Sequence, residues 1–100
     1  MLVVVPMDST DVQEAKITPV LEAKTWAQLR IEEGELVEVV HADAYDAFEA
    51  WPEAVIVQSD GEPVMEFINM SMMVLVAHTQ KTIDEIVEAF LFRELHDLAY

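Results

Sequence analysis

Three short apolar runs constrain this chain more than any other feature. Leu2-Val3-Val4-Val5, Ala54-Val55-Ile56-Val57 and Met72-Met73-Val74-Leu75-Val76-Ala77 are continuous and largely β-branched. Runs of this length suit strands covered on both faces, as found inside a sheet with helices on either side. They fall far short of the roughly 20 apolar residues that a membrane-spanning helix needs. Pro6 closes the first run, and the polar residues 8–14 read as a loop.

A hairpin fits between the first two runs. Residues 25–32 alternate, with Ala27, Leu29 and Ile31 on the expected core face and Trp26, Gln28, Arg30 and Glu32 on the other. Residues 35–41 alternate as well, with Leu36, Glu38 and Val40 opposite Val37, Val39 and His41. Gly34 lies between them and supplies a left-handed turn position. Residues 42–51, rich in alanine and ended by Pro52, predict a short helix. Residues 59–63 form a turn into a second short helix with Val64, Met65, Phe67 and Ile68 on its buried side. Thr82 and Glu85 form a Thr-x-x-Glu capping box. The helix behind it, with Ile83, Ile86, Val87, Phe90, Leu91, Leu95 and Leu98 at helical spacing, is expected to run to about Leu98. The fold class is therefore α/β: one domain over residues 1–100, with a mixed five-stranded sheet flanked by helices. Strands 1, 4 and 5 are expected to be parallel, joined by right-handed crossovers.

Composition narrows the function classes. The chain carries 20 Asp plus Glu against 5 Lys plus Arg, a formal charge of −15, yet 53% of its residues are hydrophobic. That apolar content separates it from disordered acidic tails. Its five cations are scattered, which argues against nucleic acid and anionic membranes as partners. The chain has no cysteine, so disulfides, thiolate-bound zinc, protein-thiolate iron–sulfur sites and a cysteine nucleophile are excluded. Residues 1–7 are apolar but too short, and without a basic leader, to read as a signal peptide. The expected location is the cytoplasm.

The opening LVVVPMD of residues 2–8, the Lys16-Ile17-Thr18-Pro19 step, the hairpin at Gly34 and the closing stretch from Thr82 to Leu91 with Glu94-Leu95 resemble one known family. It is the dinitrogenase iron–molybdenum cofactor biosynthesis domains, whose fold is ribonuclease-H-like. The resemblance implies a non-enzymatic nitrogenase accessory domain that carries or binds a metal cluster, with an iron–molybdenum or iron–sulfur species as its cargo. Three departures bear on that cargo. Where members often carry a His-Phe-Gly-Arg-like stretch, this chain has Val20-Leu21-Glu22-Ala23-Lys24. A glycine-rich turn is replaced by Gln58-Ser59-Asp60-Gly61-Glu62, and a glycine-containing loop by His78-Thr79-Gln80-Lys81. The second reading is accordingly an acidic protein-interaction module that has lost its ligand loops.

In open α/β sheets, ligands sit beyond the carboxyl ends of parallel strands. That rule gathers Asp8, Ser59, Asp60, His78 and Thr79 as candidate cofactor-binding residues. Two carboxylates and an imidazole there suit a divalent cation; alternatively, Asp8 and Asp60 are turn residues bonded to their own backbone. His41 at a strand end and His96 near a helix C-terminus read as structural or surface residues. Met65, Met70, Met72 and Met73 read as core filling, with Met70 and Trp51 alternatively forming a contact surface. No P-loop, paired nucleotide glycines or nucleophile elbow is present, so no enzyme is expected. The carboxylates Glu32, Glu33, Glu35, Glu38, Asp43, Asp46, Glu49 and Glu53 form a solvated face that suits a basic protein partner. A thinly covered sheet face beside the first helix predicts a homodimer.

Overall fold

The three apolar runs become neighbouring strands within a single six-stranded sheet in the computed structural model, which describes residues 1–98. The strands are β1 (Leu2–Met7), β2 (Thr25–Glu32), β3 (Glu35–Ala42), β4 (Ala54–Val57), β5 (Met73–Val76) and β6 (His96–Asp97). Helix α1 (Met65–Asn69) joins β4 to β5, and α2 (Ile83–Leu91) joins β5 to β6. The spatial order is β3-β2-β1-β4-β5-β6. β1, β4 and β5 are parallel, while β1/β2, β2/β3 and β5/β6 are antiparallel. The sheet is mixed as expected, with one strand more than the five expected.

Both faces of the central strands are covered, which is why their sequences do not alternate. Val3, Val5, Ala54, Ile56 and Leu75 pack on one face beneath Ile83, Ile86 and Val87 of α2. Val4, Val55, Val57, Val74 and Val76 pack on the other with Val64, Phe67 and Trp26. Trp26 on that second face is buried, so β2 also contributes to both cores. Of the side expected to be buried on α1, Phe67 and Val64 are buried, Ile68 is partly buried, and Met65 is exposed.

Five local expectations need correction. First, Pro6 does not end β1. Its carbonyl accepts from Thr18 N at 3.0 Å, on the side where its missing N–H would also point, so the ladder to β2 loses nothing. Second, a bulge between Arg30 and Ile31 pairs Arg30 with Glu38 but Ile31 with Leu36. The extra residue, Val37, shifts the alternation by one, so Leu36 and Val39 both pack on the α2-side core.

Third, residues 43–51 form turns and bends and no helix. This segment descends from the Ala42–Trp26 pair to the Ala54–Val3 pair, about 14 Å sideways and about 10 Å back along the strands. The extended path places Tyr45 and Phe48 against the second core, and Gln28 Nε2 donates to Ala50 O at 2.9 Å.

Fourth, α2 stops at Leu91. Glu94 N donates to Ala89 O and Arg93 N to Phe90 O, with Arg93 at φ +57. This is a Schellman stop with arginine where glycine is usual. Fifth, the chain beyond it turns back as β6, so His96 and Leu98 lie on or beside a strand, not on a helix. At the other end of α2 the capping box is present as expected, with Glu85 N donating to Thr82 Oγ1 at 3.3 Å and Thr82 N to Glu85 Oε1 at 3.1 Å.

Candidate functional site

Because β1, β4 and β5 are parallel, the connections leaving them emerge at one end of the sheet, and all five candidate residues lie in those connections. Asp8 follows β1 and is exposed. Its Oδ1 accepts from Lys16 N at 2.8 Å while its own N donates to Lys16 O at 3.0 Å. The carboxylate therefore braces the loop it belongs to. Ala15 and Ile17 of that loop are buried in the α2-side core, and Ile17 N donates to Lys81 O at 2.8 Å. Burying one isoleucine contributes about 1.5–3 kcal/mol, more than the roughly 0.5–1.5 kcal/mol of one hydrogen bond. Ile17 thus holds the loop down, and the α2-side half of the strand ends is filled by protein.

On the α1 side a glutamate joins the loops. Ser59 Oγ donates to Glu62 Oε2 at 3.4 Å, and Glu62 Oε1 accepts from Val20 N at 2.6 Å. Glu62 therefore ties the loop after β1 to the loop after β4. In the sequence Glu62 is part of a turn, and a lone glutamate before proline carries no signal of a contact 42 positions away. Asp60 is exposed, and its carboxylate has no hydrogen bond or ion pair among the described residues.

His78 and Thr79 follow β5, and both are exposed. Thr79 lines a shallow polar groove of about 290 Å³ with Glu85, Glu88 and Glu94. In that groove the backbone amides of Thr82 and Lys81 hold the Glu85 carboxyl below the usual carboxylate range. The His78 ring lies 5.9 Å from that of His96, centroid to centroid. Among the described residues no three His, Asp or Glu side chains are grouped closely enough to hold a metal ion by themselves. Asp8, Asp60 and His78 therefore share an end of the sheet without forming a ready-made cation cage.

Two apolar cavities were not anticipated from the sequence. One of about 290 Å³ lies beside the Glu62–Val20 tie, lined by Val20, Leu21, Tyr45, Pro63, Met65 and Phe67. Tyr45 packs edge-to-face on Phe67, at 4.9 Å and 80° between rings. Burial, with the neighbouring Glu66 carboxylate after it, pushes the phenol up to about 12. The other cavity, about 630 Å³, opens between Met1, Met73, Leu75, Phe90, Arg93 and Asp97. Met1 and Met73 place it toward the amino ends of the strands, away from the candidate residues. Phe90 and Leu91 close α2 and Arg93, Leu95 and Asp97 follow it, so the cavity opens where the chain leaves the helix and turns into β6. Of the methionines read as core filling, Met72 is buried whereas Met65 and Met73 are exposed.

The architecture has solved counterparts. The crystal structure of a protein designated PH0822 matches with a TM-score of 0.75 at 13% identity, over 97% of this chain and 96% of that one. A protein from Methanocaldococcus jannaschii described as a "putative dinitrogenase" matches with a TM-score of 0.71 at 19% identity, over 99% and 95%. At these identities the likeness is one of fold. No protein-family model and no curated protein matches the sequence. No helix among the described residues is long and apolar enough to cross a membrane.

Proposed function

We propose that this chain is a small, non-enzymatic, cytoplasmic domain that binds or carries a metal-containing cofactor or cluster, in the manner of nitrogenase accessory proteins. The observation that carries this reading is the convergence of Asp8, Ser59, Asp60, His78 and Thr79 on the carboxyl ends of three parallel strands. The fold shared with the Methanocaldococcus jannaschii protein described as a "putative dinitrogenase" supports it. The donor set suits a cargo that arrives with most of its own ligands. With no cysteine in the chain, protein attachment would come from imidazole and carboxylate. An iron–sulfur or iron–molybdenum species is the cargo to test. Under anaerobic conditions the purified protein is expected to take one up, and substituting Asp8, Asp60 or His78 is expected to weaken uptake. Unchanged uptake in all three variants would remove this site.

The second reading is an acidic interaction module on the same fold, docking a basic protein or a second copy of itself. The observation favouring it is the stretch from Val20 to Lys24, which lacks histidine, glycine and arginine and presents Leu21 at 86% exposure. Capture of a basic partner with no metal uptake would select this reading over the first.

A further inference from the structure

We infer that His78 and His96 form a two-imidazole clamp for one divalent ion of the zinc, nickel or copper class, with its remaining positions open to water or to an incoming ligand. The clamp shares His78 with the site proposed above and rests on that reading only for its place at the β5 end.

Strand register brings the two residues together. His96 pairs directly with Val76 across β5 and β6, and His78 lies two residues beyond Val76. Residues two apart along an extended chain share a face, and a diagonal cross-strand neighbour is within reach of a large side chain. Val76 and Leu98 pack on the α1-side core, while Ala77 and Leu95 pack on the other. Both imidazoles therefore stand on the α1 side. Their centroids are 5.9 Å apart, with 44° between the ring planes. Metal–nitrogen bonds of about 2.0–2.1 Å in tetrahedral geometry put two imidazole centroids roughly 5 Å apart. Side-chain rotation can supply the remaining approach of about 1 Å.

Packing gives no reason for the pair to be there. Both residues are exposed, and neither ring has an ion pair or hydrogen bond among the described residues. Ligand type sets the class of ion: two neutral nitrogen donors suit zinc, nickel and copper, whereas calcium and magnesium require a shell of oxygens. The net charge of −15 concentrates cations around the molecule. No third His, Asp or Glu joins the pair among the described residues. The bound ion would accordingly keep open positions, unlike a closed structural site.

Isothermal titration with ZnCl2 tests the clamp, with paramagnetic broadening by Cu2+ as a readout that needs no variant. The expected result is one zinc ion per chain, with His78→Gln and His96→Gln each weakening binding at least tenfold. Cu2+ should broaden the imidazole resonances of His78 and His96 before those of His41. Zinc binding unchanged in either variant would overturn the clamp, as would competition by excess Ca2+ or equal broadening of all three histidines. If His96→Gln loses zinc yet still takes up an iron–sulfur species, the clamp stands separately from the cargo site.

Discussion

The amide of Val20 donates to the Glu62 carboxylate at 2.6 Å, joining two loops that emerge from different strands at the same end of the sheet. A charge-assisted bond of this kind contributes roughly 1.5–3 kcal/mol when buried, and Glu62 is only partly buried. Glu62→Ala is expected to cost about 1–2 kcal/mol in urea unfolding. It should also raise amide exchange at Val20, Leu21 and Glu22. Glu62→Gln, which keeps an acceptor but not the charge, should lose less.

Arg93 predicts a substitution that stabilises. Holding a non-glycine residue in the left-handed region costs about 1–2 kcal/mol, and Arg93 sits there at φ +57. Part of that cost returns when glycine loses more freedom on folding. Arg93→Gly is expected to raise stability by about 0.5–1 kcal/mol, measured as a higher urea midpoint at unchanged slope. Arg93→Ala should bring no such gain.

Tyr45 predicts the alkaline limb of the stability curve. Its folded pKa stands near 12, against an ordinary value of 10.0. Between those values the unfolded chain releases the phenolic proton while the folded chain retains it. The folded state then binds more protons, and stability falls as pH rises from about 10 to 12. Below pH 10 this group contributes no slope. Tyr45→Phe should flatten that limb, and absorbance at about 295 nm should show the Tyr45 phenol ionising late.

The homodimer is a prediction of its own. Val40 and Trp51 are 41% and 53% exposed. Val40 pairs with Gln28, whose side chain holds Ala50, so Val40 and the segment that carries Trp51 lie on the same face of the sheet. Sedimentation should show a dimer that strengthens with salt, because salt screens repulsion between acidic copies. Val40→Glu and Trp51→Glu should return it to monomer. A monomeric wild-type protein across the micromolar range would contradict the prediction.

Much of the fold was legible because local chemistry and global structure agree. The three apolar runs, the turn at Gly34 and the Thr82–Glu85 box each form the element that their residue types favour. The failures have identifiable causes. Val37 sits in a bulge that no residue type announces, so strict alternation puts Leu36 opposite Val39, whereas both pack on one core. Arg93 ends α2 without the glycine that usually marks a Schellman stop, so helical spacing alone carries the expected helix past Leu91 and over β6. The alanines of residues 42–51 favour helix locally, but the packing of Tyr45 and Phe48 on the second core and the Gln28–Ala50 hydrogen bond hold the segment in turns and bends. At the site, the shared end of Asp8, Asp60 and His78 followed from parallel topology alone. The Glu62–Val20 tie and the His78–His96 pair depend on loop paths and on β6, neither of which has a sequence signature.

Mapping amide chemical-shift changes on adding an iron–sulfur or iron–molybdenum species under anaerobic conditions is the measurement that bears most directly on the central proposal. Perturbations centred on Asp8, residues 58–60 and residues 78–79 are the predicted result. Perturbations confined to the cavity around Met73 and Phe90, or no perturbation at stoichiometric cargo, would contradict it.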